Sequence, residues 1–165
     1  MANQLTLTNA GQSALTNALT TGNPLRVSFL AVGSSDGSAL TTNSTRLGAE
    51  LLRRPLDKQT ASGTQIIFEA VISEDQGPFT LKEVGLYDNS NTLIAYGSLP
   101  SVYKPTVIDG FGVALRIKAT LAFTSNPNAA TVVVGTADTG IYYTPNGTRV
   151  RLAINDDMTI TPTPF

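Results

Sequence analysis

The chain contains no histidine, no cysteine and no tryptophan among its 165 residues. Without these side chains it can form no Ser-His-Asp or Cys-His nucleophilic centre, no zinc site of the usual ligand set, no thiolate iron–sulfur cluster and no disulfide. The absence of thiols also leaves the redox compartment open. Any remaining chemistry would use carboxylate, Lys, Tyr or Ser/Thr side chains, and we expect no cofactor and no metal site.

Charge is scarce as well. Charged residues make up 14% of the chain, against roughly 25% in ordinary soluble domains, and the net charge is −1. Nucleic acids and anionic membrane surfaces require a basic patch, so we expect neither as a partner. No apolar run approaches the ~20 residues of a membrane span, and the start MANQLTLTNAG lacks the pattern of a secretory signal peptide. The composition therefore predicts a soluble protein with no signal peptide and no membrane insertion.

Short uncharged residues take the place of the missing charges. The mean hydropathy is +0.05 although only 41% of the residues are hydrophobic, because Thr, Ser, Asn and Gly occupy positions that Lys and Glu usually hold. Such a surface costs little to desolvate against a partner.

Two short helices are predicted in the N-terminal third. The first covers Asn9–Leu19, with Asn9 as the N-terminal cap and Gly22 ending it before Pro24. Its apolar stripe consists of Ala14, Leu15, Ala18 and Leu19.

The second helix is predicted from about Ser44 to Arg54. Leu47, Leu51 and Leu52 share a helical face, Glu50 and Arg54 have i,i+4 spacing, and a proline follows. The local pattern therefore satisfies the usual signals for a helix.

The remainder of the chain alternates apolar and polar residues with the period of a β-strand. Strands are predicted at residues 25–32, 64–73, 79–88, 92–100, 111–124 and 131–134. The short polar connection at residues 88–91 indicates an antiparallel meander. The sequence Asn146-Gly147 lies between two further alternating runs and predicts a hairpin, followed by a Pro-containing extended tail.

The predicted fold class is α+β: a mainly antiparallel β-sheet with two short helices in the N-terminal third, plus a C-terminal β-hairpin and extended tail. We interpret residues 1–134 as the main domain and residues 135–165 as the hairpin and tail, which could bind a partner or another copy.

Several short segments occur in a characteristic order along residues 5–124. They are Thr8-Asn9-Ala10-Gly11, GNPLRVSFLAVGSSDG (22–37), a Leu-rich segment ending Arg53-Arg54-Pro55, EAVIS (69–73), GPFTLKEVGLYD (77–88), TLIAYGSLP (92–100) and YKP (103–105). The order and spacing resemble the N-terminal domain of the phage tail-collar fibre proteins, which occur on contractile-tailed phages and prophages.

The resemblance implies a structural role, since such domains join a tail fibre to the baseplate, typically as a trimer. The positions that match the most specific motifs are Phe79, Thr80, Glu83, Val84, Gly85, Leu86, Asp88, Tyr103, Lys104 and Pro105. Family members continue into a fibre shaft and a receptor-binding tip, so we expect this chain to be an attachment module, or a short fibre whose distal part is another polypeptide.

Among the carboxylates, Glu83 is the main candidate for a catalytic or structural role. In a regular strand it would lie on the same side as Phe79 and Leu81, where a carboxylate needs a cationic partner or backbone donors. A catalytic acid is one interpretation, and a structural ion pair or strand irregularity beside Gly85 is the other, which we favour. The adjacent pairs Glu74-Asp75 and Asp156-Asp157 are interpreted as solvated turn residues.

Aromatic and cationic residues collect on the predicted C-terminal hairpin. Tyr142, Tyr143, Arg149 and Arg151 are candidate contacts for a partner or a receptor, including a host-surface glycan. Packing within the hairpin is the alternative.

The predicted function is that of a non-enzymatic structural virion protein, a tail fibre or fibre adaptor. It would assemble in the host cytoplasm, form a homotrimer, and link the baseplate of a contractile tail to a distal fibre or the host surface. A stand-alone glycan-binding β-domain is the first alternative, and a carboxylate-dependent glycan hydrolase is the second.

Overall fold

A computed structural model describes residues 3–22, 24–62, 65–110, 112–122, 131–136, 142–143, 149–154 and 160–164. Within these residues there is one α-helix, α1 (Asn9–Thr21). The strands are β1 (Asn3–Leu7), β2 (Phe29–Gly33), β3 (Glu50–Pro55), β4 (Lys58–Ser62), β5 (Gln65–Ile72), β6 (Phe79–Tyr87), β7 (Leu93–Lys104), β8 (Leu115–Ala122), β9 (Thr131–Thr136), β10 (Tyr142–Tyr143), β11 (Arg149–Ile154) and β12 (Ile160–Pro164). A short 3-10 helix, Val107–Asp109, follows β7.

Nine strands form one antiparallel sheet in the order β3-β2-β6-β7-β1-β9-β8-β5-β4. Its two end strands, β3 and β4, are consecutive in the chain. The backbone N–H of Leu56 donates to Ser28 O beside β2 at 3.0 Å, and that of Asp57 donates to Glu69 O in β5 at 2.9 Å. The sheet must therefore fold over so that its two ends meet. We call β3-β2-β6-β7-β1 the first layer and β1-β9-β8-β5-β4 the second layer.

The main core lies between the two layers. The first layer contributes Leu30, Val32, Leu81, Val84 and Leu86, and the second contributes Phe68, Ala70, Ile72, Leu115, Ile117, Ala119 and Leu121. Ala14 and Ala18 of α1 pack against this core and are half-buried, whereas Leu19 of the predicted apolar stripe is 72% exposed. Removal of this apolar surface from water, at roughly 25 cal/mol per Å², is the main force that holds the layers together.

A smaller apolar cluster lies on the outer face of the first layer, where the segment 34–49 crosses the sheet. It consists of Ala31, Leu47, Tyr87 and Leu93, with Phe29, Leu40 and Tyr96 packed at its edge. We call it the outer cluster. Because of it, β2 is buried on both faces rather than half-buried as predicted. The predicted strand at residues 25–32 is also wrong in its bounds, since β2 begins at Phe29.

The predicted second helix is wrong: residues 44–49 form an irregular loop with bends, and Glu50–Pro55 is β3. The pairing of β3 with β2, from Phe29↔Pro55 to Val32↔Leu52, replaces intrahelical hydrogen bonds with bonds to a distant strand. Glu50 pairs with Arg53 at 2.8 Å, not with Arg54 as the helical spacing implied. The β-rich antiparallel class is confirmed, but with one helix among the described residues instead of two.

The cap of α1 also differs from the prediction. Thr8 is the N-cap, its side-chain oxygen accepting from the Gly11 N–H, while Asn9 is the first helical residue and donates instead to Asn43 Oδ1 at 2.6 Å. The predicted stop is confirmed, because Gly22 has a φ of 72° and ends the helix in the left-handed region.

The predicted strands of the central region are confirmed, with shifted ends. β7 continues to Lys104, and β8 begins at Leu115; residues 111 and 123–124 of its predicted range lie outside the described residues. β1 and β4 were not predicted. β10 and β11 pair antiparallel as the predicted hairpin requires, and the tail adds β12 to the same three-stranded sheet. The division of the chain at residue 134 stays a prediction.

Candidate functional site

Glu83, Gly85 and Tyr87 of β6 face the segment 34–49 on the outer side of the first layer. The pairing of β6 with β7 shifts register between Leu81 and Glu83. Leu81 therefore points into the main core, whereas Glu83 points to the opposite face. Glu83 would share the side of Leu81 only in a regular strand, and the register shift is a strand irregularity of the kind that the sequence analysis favoured near Gly85.

The Glu83 carboxylate holds the backbone of the segment 34–49. Glu83 is fully buried. Its Oε2 accepts the Gly48 N–H at 3.1 Å, and its Oε1 accepts the Ala49 N–H at 2.7 Å. Backbone N–H donors, rather than a cationic side chain, thus stabilise the buried carboxylate. Hydrogen bonds to an ionised acceptor are stronger than those between neutral groups. The carboxylate connects β6 to a segment 34 residues away in sequence.

Two glycines leave the room that this arrangement needs. A Cβ on Gly33 would overlap Glu83 Oε1 and lie 2.5 Å from Ala49 O. A Cβ on Gly85 would lie 3.0 Å from a methyl group of Leu47 and 3.0 Å from one of Leu93. Both positions therefore admit the segment 34–49 only because a side chain is missing.

Tyr87 binds the same segment at the neighbouring residue Leu47. Its ring is fully buried in the outer cluster, and its hydroxyl oxygen accepts the Leu47 N–H at 3.0 Å. The guanidinium of Arg53 stacks on the ring, 3.6 Å from its centroid. Arg53 is itself held by Glu50 and by Asn91 Oδ1, each at 2.8 Å. Three consecutive backbone N–H groups, from residue 47 to residue 49, are thus bound by side chains of β6.

The surroundings of Tyr87 and Arg53 shift the pKa of both side chains. Burial raises the pKa of the Tyr87 phenol above its ordinary value. The hydrogen bonds that the Arg53 guanidinium donates to Glu50 raise the pKa of Arg53, so the guanidinium keeps its charge.

Replacing Tyr87 by phenylalanine leaves the Leu47 N–H without its acceptor and is expected to cost about 1–2 kcal/mol of unfolding free energy. Urea denaturation of Tyr87→Phe against Tyr96→Phe measures this cost, because no hydrogen bond is described for the Tyr96 hydroxyl. The pKa of Tyr87 is higher in the folded chain than in the unfolded chain. The Tyr87 hydroxyl therefore stabilises the fold fully below about pH 10, and this contribution is lost as the pH rises above that value. An equal loss in both variants would contradict the role of the Tyr87 hydroxyl.

The remaining residues of the β6 motif complete the strand and its turn. Val84 and Leu86 are buried in the main core, Phe79 packs at its border, and Thr80 is exposed. The Asp88 carboxylate accepts the N–H groups of Ser90 and Thr92, each at 2.8 Å, and so shapes the turn into β7.

The Thr8-Asn9-Ala10-Gly11 motif docks α1 on β7. Thr8 is buried; its N–H donates to Ile94 O at 3.0 Å, and its hydroxyl donates to Leu93 O at 2.5 Å while capping the helix. A Cβ on Gly11 would overlap the same Ile94 carbonyl. The motif therefore places the first turn of α1 directly on the backbone of β7.

Lys104 of the YKP motif is a fully buried cation. Its ammonium group donates to Gln76 O and, at 3.3 Å, to Pro105 O. Burial lowers the pKa of Lys104, while Asp75 and Glu74 oppose the shift. Pro105 is buried beside it, whereas Tyr103 is 54% exposed. Lys104 thus joins the end of β7 to the β5–β6 turn.

The C-terminal candidates belong to the three-stranded sheet β10-β11-β12. Tyr142 and Tyr143 lie in β10, opposite Val150 and Arg149 of β11, and Arg151 follows in the same strand. The side chains of all four candidates, and the pair Asp156-Asp157, lie outside the described part of the chain. Their contact role stays a prediction.

Within the part of the chain that the structure describes, no helix combines the length and apolar character that a membrane crossing requires. Those same residues hold no group of three or more His, Cys, Asp or Glu side chains placed to share a metal ion.

Comparison with known proteins gives two matches. A family model described as "Phage tail-collar fibre protein, N-terminal" matches residues 1–153. The chain is also similar to the "Probable tail fiber protein" of Escherichia phage P2, with 32% identity over 112 residues. That alignment covers 64% of this chain but 17% of the phage P2 protein, so the chain spans less than a fifth of the relative's length. No solved structure matches the chain.

Proposed function

Because the chain belongs to the phage tail-collar fibre protein family, we propose that it attaches a tail fibre to the baseplate of a contractile tail. A structural role in the tail fibre follows from the family. The baseplate as the attachment point, and the link onward to a distal fibre or the host surface, are the proposed part.

The observation that carries the proposal is what the side chains of the motif residues bind. Glu83 and Tyr87 bind backbone N–H groups, Thr8 binds backbone carbonyls, and Lys104 does the same. These side chains fasten loops and a helix to the sheet and so build a rigid domain. A rigid domain loses little conformational entropy when it docks, which suits an attachment module.

The surface supports the same role. The exposed side of α1 carries no charged residue, so its desolvation against a neighbouring protein costs little. In the proposed arrangement residues 1–134 dock on the baseplate, and residues 135–165 contact a neighbouring copy, a distal fibre or a host glycan. Three copies would provide multivalent attachment. The protein would act without catalysis, in the virion, after assembly in the host cytoplasm.

Tails purified from a phage stock that lacks this gene provide the test. We expect the purified chain to cosediment with these tails at saturable stoichiometry, and light scattering to report a trimer. A monomer that fails to bind the tails would contradict the proposal. A glycan array on the same chain separates the alternative, because glycan binding lost in Tyr143→Ala, without tail binding, would favour a glycan-binding domain.

A further inference from the structure

Exposed apolar side chains concentrate in one short segment, from the end of β7 into the 3-10 helix that follows it. Among the described residues, the large apolar side chains with high exposure are Leu19, Leu51, Tyr103, Val107 and Ile108. Three of these five lie within six consecutive residues, and Ile108 is 89% exposed. We call Tyr103, Val107 and Ile108 the apolar tip. Single exposed apolar residues are ordinary, but a cluster marks an interaction surface.

The apolar tip is braced by the β5–β6 turn. A Cβ on Gly112 would lie 2.7 Å from Val107 Cγ1 and 3.0 Å from Glu74 Cβ, so these two side chains meet over that glycine. Lys104 binds the same turn through Gln76 O. Gly77 has a φ of 128°, and a Cβ there would lie 3.1 Å from Thr106 Cγ2. The segment is therefore held in place before any partner arrives, which lowers the entropy cost of docking.

Two carboxylates border the apolar tip. Glu74 and Asp75 are exposed, and the ion pairs of the described residues, Arg53–Glu50 and Lys118–Glu69, involve neither of them. The nearby ammonium of Lys104 is buried and faces backbone carbonyls. The tip thus presents an apolar centre with an anionic rim to the solvent.

From this complementarity we infer that the apolar tip docks into a tail protein that presents an apolar pocket rimmed by Lys or Arg. The inference rests on the proposed function and names its docking surface. The anionic rim disfavours an anionic lipid surface. A protein pocket with basic edges satisfies both the apolar centre and the rim.

The test uses the tails lacking this gene as the probe, with Ile108→Asp as the variant. Leu19→Asp is the matched control, since Leu19 is 72% exposed on α1. We expect Ile108→Asp to bind the tails at least about tenfold more weakly than the natural chain, and Leu19→Asp to bind within about twofold. Both residues are exposed, so thermal unfolding of both variants should match that of the natural chain.

Removing the negative charges of Glu74 and Asp75 tests the role of the rim. We expect the double variant Glu74→Gln, Asp75→Asn to bind the tails more weakly at low ionic strength and to show a smaller decline of affinity with added salt.

If Ile108→Asp binds the tails as tightly as the natural chain does, the inference is overturned. The proposed function would still hold, because the natural chain binds the tails. Failure of the natural chain itself to bind the tails would contradict both. A smaller mass of Ile108→Asp in light scattering would show that another copy of this chain covers the tip, and would also overturn the inference.

Discussion

Replacing Glu83 by glutamine is expected to destabilise the folded chain by about 2–3 kcal/mol, because hydrogen bonds to a buried charged acceptor are among the stronger ones. The carboxylate presents two oxygens to the N–H groups of Gly48 and Ala49. The amide of glutamine has one acceptor oxygen and turns an NH₂ group toward the other donor. One backbone N–H is then left buried without an acceptor.

Equilibrium urea denaturation of Glu83→Gln measures the global loss. Amide hydrogen exchange measures the local one, and we expect the Gly48 and Ala49 amides to exchange faster while those of β8 change little below the global unfolding limit. Glu74→Gln is the control, because that carboxylate is exposed and its loss should change stability by no more than about 0.5 kcal/mol. Equal stability of the two variants would contradict the role assigned to Glu83.

Gly11→Ala is expected to be comparably harmful, at about 2–3 kcal/mol, although alanine favours helices by about 1 kcal/mol over glycine. The added Cβ would overlap the carbonyl oxygen of Ile94, which is backbone and cannot turn away. Helix α1 must then shift from β7, which loosens the hydrogen bonds of Thr8 to Leu93 O and Ile94 O.

Thermal unfolding tests this expectation, with a predicted decrease of Tm of about 4–12 °C for a chain of this size. Gly22→Ala is the matched control: its Cβ meets no atom within 4 Å, and only the left-handed backbone opposes it, at about 1 kcal/mol. A larger effect at Gly22 than at Gly11 would show that the close approach to Ile94 does not limit the packing of α1.

The incorrect second helix shows where local pattern fails. Leu47, Leu51 and Leu52 have helical spacing, and Gly48 is the main local signal against a helix. The deciding groups are distant in the chain. Glu83 and Tyr87, 34 to 40 residues later, bind the N–H groups that a helix would use, and the earlier strand β2 pairs with the rest. Tertiary contacts regularly override propensity in this way.

The sequence pattern predicted neither of two strands nor the position of one β-bulge, for a related reason. β1 (NQLTL) and β4 (KQTAS) are short and polar, and they exist because β7, β9 and β5 offer partners. Gly85 suggests an irregularity in this strand, but the sequence does not place the register shift between Leu81 and Glu83, which turns the motif carboxylate away from the main core. Strand pairing, not composition, determines all three features.

The sequence alone determined the β-rich antiparallel class, the end of the first helix at Gly22 and, through its ordered motifs, the family. The absence of histidine, cysteine and tryptophan removed the common catalytic centres without any structure. Only the tertiary structure decided what the motif residues do, because Glu83, Tyr87, Gly11 and Lys104 act on backbone groups distant in the chain. Such contacts depend on how the layers fold over each other, and no local spacing encodes them.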